Sequence, residues 1–311
     1  MTNELKRYLK NKKNLEDAFL YNPGHEHDSC GVGFVASTDG KQRREVVQGG
    51  IDALKAVWHR GAVDADGKTG DGAGILTQIP YNFFDDEIAK TGHEKRDEPL
   101  GIGMMFLPRN DYAALEKCRT IIESELLDHG YYIYGWRQVP INNSVIGEKA
   151  NSTRPEIEQV MFVNNIERDK DFDFAKELYL VRRRLEKRIA KQQINGFYVC
   201  SLSFESIIYK GLFLAEQLSI FYPDLANEEF ISSFAVFHQR YSTNTFPSWG
   251  LAQPFRLLAH NGEINTISGN TNWMRNHQTR ITTEIFGDDS EQVKPIIEKN
   301  VSDSSALDAA F

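Results

Sequence analysis

The chain has 311 residues, 41% of them apolar and 26% charged, with a net charge of −8. That composition is ordinary for a globular protein, and the length suits one large domain or two ordinary ones. The negative charge argues against nucleic acid as the main partner, and no run of about 18 apolar residues is present to span a membrane.

The first segment, MTNELKRYLKNKKNLEDAFLYNPG, carries basic residues but no apolar stretch, so it does not read as a secretory signal. Its Glu4, Glu16 and Asp17 argue against a transit peptide. CGVGFVAST and REVVQ are predicted as short strands, and GGIDALKAVWH has apolar residues at helical spacing. RGAVDADGKTGDGAG is too rich in Gly and Asp to be anything but a loop. GILTQIP, GIGMMFLP, YYIYGWRQV and EQVMFVNN follow as strands. NDYAALEKCRTIIESELLDHG is predicted as a helix stopped by Gly130, and DFDFAKELYLVRRRLEKRIAKQ as a second long helix. On that second helix, Arg182, Arg183 and Arg184 read as a solvated face. FYVCSLSF, SSFAVFHQRYS and FRLLAHNG are further strands, and NTISGNTNWMRNHQTRI a further helix. A last helix begins after Ser302-Asp303 and reaches Phe311 without a stop signal, as expected of a fragment of a longer chain. Strands occur in adjacent runs as well as between helices, which predicts a layered α+β architecture.

Cys30, Cys118 and Cys200 are few, odd in number and far apart, with no C-x-x-C. They encode neither a zinc ribbon nor an iron–sulfur cluster, no metal site is expected, and a reducing cytoplasm fits them. Gly67-Lys68-Thr69 ends like a phosphate-binding loop, but Ala62 stands where its first Gly belongs. The order helix, loop, strand is also the reverse of what such a loop needs.

Three stretches leave two readings each. Cys30 is a small buried hydrophobe or a nucleophile. Arg240, ending an apolar strand in FHQRYSTNTFPSWG, is a solvated strand end or a fork for a carboxylate. Asn261-Gly262 in LLAHNGEINT is a tight turn or a pair of donors for an oxyanion.

Cys-Gly-Val-Gly-Phe, His-Gln-Arg-Tyr-Ser-Thr and His-Asn-Gly-Glu-Ile-Asn resemble the motifs of the class II glutamine amidotransferases, which are N-terminal-nucleophile enzymes. HRGAVDADGKTGDGAGI and RYSTNTFPSWGLAQPFRLLAHNGEINT resemble the glutamate synthase branch, in its large subunit. The likeness runs from Cys30 to the end of the chain. It implies a four-layer αββα sandwich, a propeptide over 1–29 and an amidotransferase domain over 30–311, truncated at its C-terminus. It implies that Cys30 attacks the glutamine side-chain amide, that Asn261 and Gly262 form the oxyanion hole, and that Arg240 holds the substrate α-carboxylate. Asp303 matches the acid that binds the α-ammonium group. Arg60 lies in a loop bordering glutamine, and Thr243 and His238 stand behind the site. The resemblance places FMN and an iron–sulfur cluster beyond Phe311, with none in this fragment. It implies a small electron-input subunit or a ferredoxin as partner besides L-glutamine and the remaining domains of the subunit. Other class II amidotransferases, making a sugar amine or a purine precursor, are the alternative, as is an uncleaved regulatory module.

Overall fold

The computed structural model describes residues 3–18, 22, 31–240, 245–261, 263–299 and 301–311. Two units separate, Met1–Cys30 and Gly31–Phe311. The first holds helix α1, Asn3–Asp17, which the sequence reading left without structure.

Among its described residues the second unit contains eight strands: β1 (Val32–Ala36), β2 (Ala73–Gln78), β3 (Leu100–Leu107), β4 (Tyr131–Gln138), β5 (Glu156–Asn164), β6 (Tyr198–Ser203), β7 (Ser206–Gly211) and β8 (Phe234–Gln239). Its α-helices are α2 (Arg44–Ala56), α3 (Tyr81–Lys90), α4 (Tyr112–Asp128), α5 (Glu148–Ser152), α6 (Phe174–Lys191), α7 (Leu218–Phe221), α8 (Ile267–Phe286) and α9 (Asp303–Ala310). The strands form two antiparallel sheets, ordered β1-β8-β2-β7 and β4-β5-β3-β6. β6 and β7 are joined by Phe204-Glu205 yet belong to different sheets. The expected α+β class is therefore present, as two four-stranded antiparallel sheets with helices packed on them.

The period of two along β3 divides its side chains between two cores. Met105 and Leu107 pack with Leu115, Ile122 and Leu126 of α4 and with Leu178, Val181 and Leu185 of α6. Ile102, Met104 and Phe106 point the other way, into the core shared with Ile75 of β2, Tyr209 of β7 and Val47, Ile51 and Leu54 of α2. Asp111 and Asp173 cap α4 and α6 by accepting from Ala114 N–H and Lys176 N–H. Gly130 ends α4 at φ +79°, where glycine meets no Cβ penalty.

Three expectations need correction. REVVQ is the first half of α2, because Val46 and Val47 continue the helical stripe of Gly50, Ile51 and Leu54. FRLLAHN, the described part of FRLLAHNG, is an irregular segment rather than a strand; Leu257 is 68% exposed, so its apolar run does not mark a buried strand. Arg182–Arg184 are not a solvated face. Arg183 is buried and donates to Pro295 O and Glu298, while Arg184 reaches Asp289 and Arg182 pairs with Glu186. The segment around 289–298 is thereby clipped to α6.

Candidate active site

Three strands of the first sheet end together. Val32 pairs with His238, and His238 with Gly74. Beyond those pairs, Gln239 N–H donates to Gly31 O at 2.6 Å and Arg240 N–H to Gly72 O at 2.7 Å. β8 is the middle strand, so its end lies between Gly31 on one side and Gly72 on the other. A Cβ on Gly31 would stand 2.3 Å from the Gln239 carbonyl oxygen and 3.5 Å from Arg60 Cβ. Glycine is therefore required there, and Arg60, ending the short 3-10 turn Trp58–Arg60, sits beside it.

Arg240 has φ +98°, a region that residues with a Cβ seldom occupy. Such strain costs of order 1–3 kcal/mol and gathers at sites where placing a side chain matters more than relaxed backbone.

A second arm reaches this strand end. His238 is fully buried and its Nε2–H donates to the His260 carbonyl at 3.1 Å. A carbonyl only accepts, so this bond fixes the tautomer. Burial lowers the imidazole to about 4, which keeps it neutral at physiological pH. The Gln253 side chain holds the same residue twice, donating to His260 O and accepting from His260 N–H, each at 2.9 Å. The His260 ring meets Ser304 Oγ at 2.8 Å. Asp303 is 2% exposed, and its two oxygens accept from Ser304 N–H at 2.7 Å and Ile264 N–H at 3.0 Å. A chain of hydrogen bonds thus runs from β8 through residue 260, the neighbour of Asn261, to the start of α9.

The structure accordingly brings Arg60, Arg240, Asn261 and Asp303 to one end of the first sheet. Cys30, Thr243 and Gly262 lie outside the described residues. The other two thiols are poor nucleophiles, since burial pushes Cys118 up to about 11 and Cys200 up to about 12.

Two residues escaped the sequence reading. Asp71 is 6% exposed, and neither carboxylate oxygen has a hydrogen-bond partner among the described residues. Burial raises it to about 6, against the opposing pull of the nearby Ala62 and Asp71 backbone N–H groups and of the Arg240 charge. Gln239 is fully buried with its side-chain amide likewise unpartnered among the described residues. Asp71 follows a Gly-rich loop, and no local pattern announces that the fold closes over it. Gln239 sits in the motif that drew attention to Arg240, and alternation in β8 would have pointed it to the other face.

The loop before Asp71 is itself ordered as a hairpin. Val63 bridges Gly70, and Asp64 N–H donates to Thr69 O at 2.9 Å.

Residues 30–311 match the family described as glutamine amidotransferases class-II. The chain is 61% identical over 297 residues to the NADPH glutamate synthase large chain of Azospirillum brasilense, covering 96% of this chain and 20% of that one. It is 42% identical over 299 residues to the chloroplastic ferredoxin-dependent glutamate synthase of Spinacia oleracea, covering 96% and 18%. With the NADPH large chain of Bacillus subtilis it shares 41% over 292 residues, covering 94% and 19%. The chain spans about a fifth of the length of these relatives. A match over all but the first 29 residues, on a two-sheet fold whose motif residues meet at one strand end, makes this chain a member of the class-II glutamine amidotransferases.

Proposed function

We propose that this chain is the glutaminase part of a glutamate synthase, and that it works after release of residues 1–29. The observation that carries the reading is the strand end where Gln239, the neighbour of Arg240, bonds Gly31, while His238 is tied to residue 260, next to Asn261, and through the His260 ring to Ser304, next to Asp303. A cysteine thiol has a pKa of about 8.5 and needs a base, whereas a free α-amino group titrates at about 7.7–8.0. Inside a chain that nitrogen is an amide and takes no proton. Cleavage at Ser29–Cys30 therefore makes the base and frees the thiol in one event.

Cys30 Sγ then attacks the side-chain amide carbon of glutamine while its proton passes to the α-amine. The carbonyl oxygen, now an anion, is met by Asn261 Nδ2–H and Gly262 N–H. Collapse breaks the C–N bond, and the proton leaves with ammonia. Water cleaves the resulting thioester to glutamate and restores the thiol. Arg240 grips the α-carboxylate and Asp303 the α-ammonium group. A buried site that left either charge unmatched would bear a large desolvation penalty. Arg60 and Thr243 border the substrate.

The ammonia passes to 2-oxoglutarate at a flavin site in another part of a longer protein, which receives electrons from a small subunit or a ferredoxin. The relatives' names, with NADPH or ferredoxin as donor, support this coupling. FMN and an iron–sulfur cluster do not fit the residues present. Cys118 on α4 and Cys200 on β6 are buried in separate cores, and in the Gly-rich hairpin Asp66 is taken up by Thr69 and Lys68, Thr69 by Asp66 and Ala150, and Asp64 by Lys149. No helix among the described residues is long and apolar enough to cross a membrane, and the cytoplasm is the proposed location.

Intact mass and N-terminal sequencing of active protein test the reading. The expected result is a chain beginning at Cys30 that releases glutamate and ammonia in equal amounts from glutamine. Turnover by material beginning only at Met1 or Thr2 would overturn it.

A further inference from the structure

Two segments flank the strand end just described. The hairpin 61–71 follows Arg60, and residues 245–249 come after Arg240 in sequence. Both are anchored on the same short helix, α5. On the hairpin side, Ala150 N–H donates to Thr69 Oγ1 at 3.1 Å, and Thr69 O–H donates to Asp66 Oδ2 at 2.6 Å. Both roles of that hydroxyl are therefore used. The other Asp66 oxygen accepts from Thr69 N–H at 2.7 Å and Lys68 N–H at 3.0 Å, which holds its carboxyl well below the usual range. A Cβ on Gly147, just before α5, would stand 2.2 Å from Asp66 Oδ2 and 2.3 Å from Thr69 Oγ1. The hairpin is thus seated without clearance. Gln217 Nε2–H adds a clamp, donating to Lys68 O at 2.9 Å and Val145 O at 2.8 Å.

On the other side, Trp249 Nε1–H donates to Ala150 O at 3.1 Å. The Trp249 ring is 4% exposed and packs edge-on against Phe106 and Phe213, with centroids 6.0 and 5.4 Å away. The ring is a fixed post in the core, and its one polar atom is bonded to α5. A single buried residue, Ala150, thereby takes one bond from each segment, the hairpin through its N–H and the tryptophan through its C=O.

We propose that α5 is a brace shared by the hairpin 61–71 and by residues 245–249, with Thr69 and Trp249 as positioning residues for glutamine binding. A shift of either segment moves Ala150 and is passed to the other. What the segments bind rests on the glutaminase reading above, but the brace itself is measurable without it.

The test uses the processed protein with Thr69→Val, Trp249→Phe and the double variant. Thr69→Val keeps the shape and removes the hydroxyl, and Trp249→Phe keeps an aromatic ring and removes the N–H. Each single variant is expected to raise KM for glutamine about fivefold, the size one hydrogen bond carries, with kcat within about twofold. The double variant should match the singles rather than multiply them, because both act through one residue. Thr69→Ser should restore the wild-type KM. Separately, hydrogen exchange in Trp249→Phe should speed up at the Ala150, Asp64 and Asp71 amides, the last two lying in the hairpin that Trp249 does not itself bond. Multiplying KM effects, or unchanged hairpin exchange in Trp249→Phe, overturn the brace. Absence of glutaminase activity in the wild type sinks the functional reading instead and leaves the exchange measurement to decide the brace.

Discussion

Asp71→Asn should stabilise the protein above pH 6 and leave it nearly unchanged near pH 4. Asp71 is buried with neither oxygen partnered among the described residues, and burial raises it from the usual 3.8 to about 6. Between those two values the unfolded chain has lost the proton and the folded chain still holds it. The folded state then binds more protons, so this group's contribution to stability falls as pH rises from about 4 to 6 and is level above. The rise corresponds to about 3 kcal/mol at 1.4 kcal/mol per tenfold. Asparagine carries no charge at any pH and shares the shape of the protonated acid, so it removes the penalty only where the acid would be ionised. Urea unfolding of both proteins between pH 4 and 8 measures this. At an m-value of about 3 kcal/mol/M, the variant's midpoint should pull ahead by about 1 M at pH 8 and by little at pH 4. The comparison must be of differences, because Glu87 and Glu177, held low by Lys90 and Arg137 and by His129, lose stability in the opposite direction as pH falls. A gap between variant and wild type that stays constant with pH would refute the claim of a buried, uncompensated carboxylate.

The site residues separate by kinetics. If Arg240 grips the α-carboxylate as proposed, Arg240→Ala removes a contact made in ground and transition states alike, so KM for glutamine should rise with a smaller fall in kcat. Asn261→Ala should lower kcat about 100- to 1000-fold with KM nearly unchanged; a steep KM rise at normal kcat would make Asn261 a substrate anchor instead. Both need proof by mass that residues 1–29 have been released, since poor processing imitates poor catalysis. Away from the site, Arg137 is buried and donates twice to Asp224, at 2.7 and 2.8 Å, and to Glu87 and Gln159. Asp224→Asn leaves that guanidinium short of a charge and should destabilise by about 3–5 kcal/mol in urea; a loss below about 1 kcal/mol would mean the remaining partners suffice.

The sequence made α4 and α6 legible because a 3.6-residue stripe, an Asp cap and a stop signal agree within each segment. Val46-Val47 misled because β-branched residues favour strands locally, while the stripe that decides the matter extends to Leu54. Arg183 and Arg184 misled for a different reason: they reach partners at 289–298, about a hundred residues away, and no local pattern reports them. At the site, Arg240, Asn261 and Asp303 were found through the resemblance of their motifs. The physical link between them, His238 to residue 260 to Ser304, involves side chains that carry no chemical signature of their own. Asp71 was missed because burial of a carboxylate is a property of the closed fold, and its neighbours in sequence are those of any turn.

β1 and β8 have a temporal consequence. Gly31 and Val32 find their partners at Gln239 and His238, and the thread from β8 ends at Ser304. On a ribosome adding about 5–20 residues per second, some 14–55 s separate the emergence of the nucleophile's strand from that of the last of these residues. For about the first 10–42 s of that interval β1 has no neighbour in its sheet on the β8 side, and until its end the strand end lacks the last of the residues tied to it. Loop closure over this span is also slow in its own right, because long-range pairing must bear its entropy before any contact rewards it. On the proposed function, chemistry at residue 30 is thus timed by translation: the cysteine is made early, and the groups that would make it dangerous are made last.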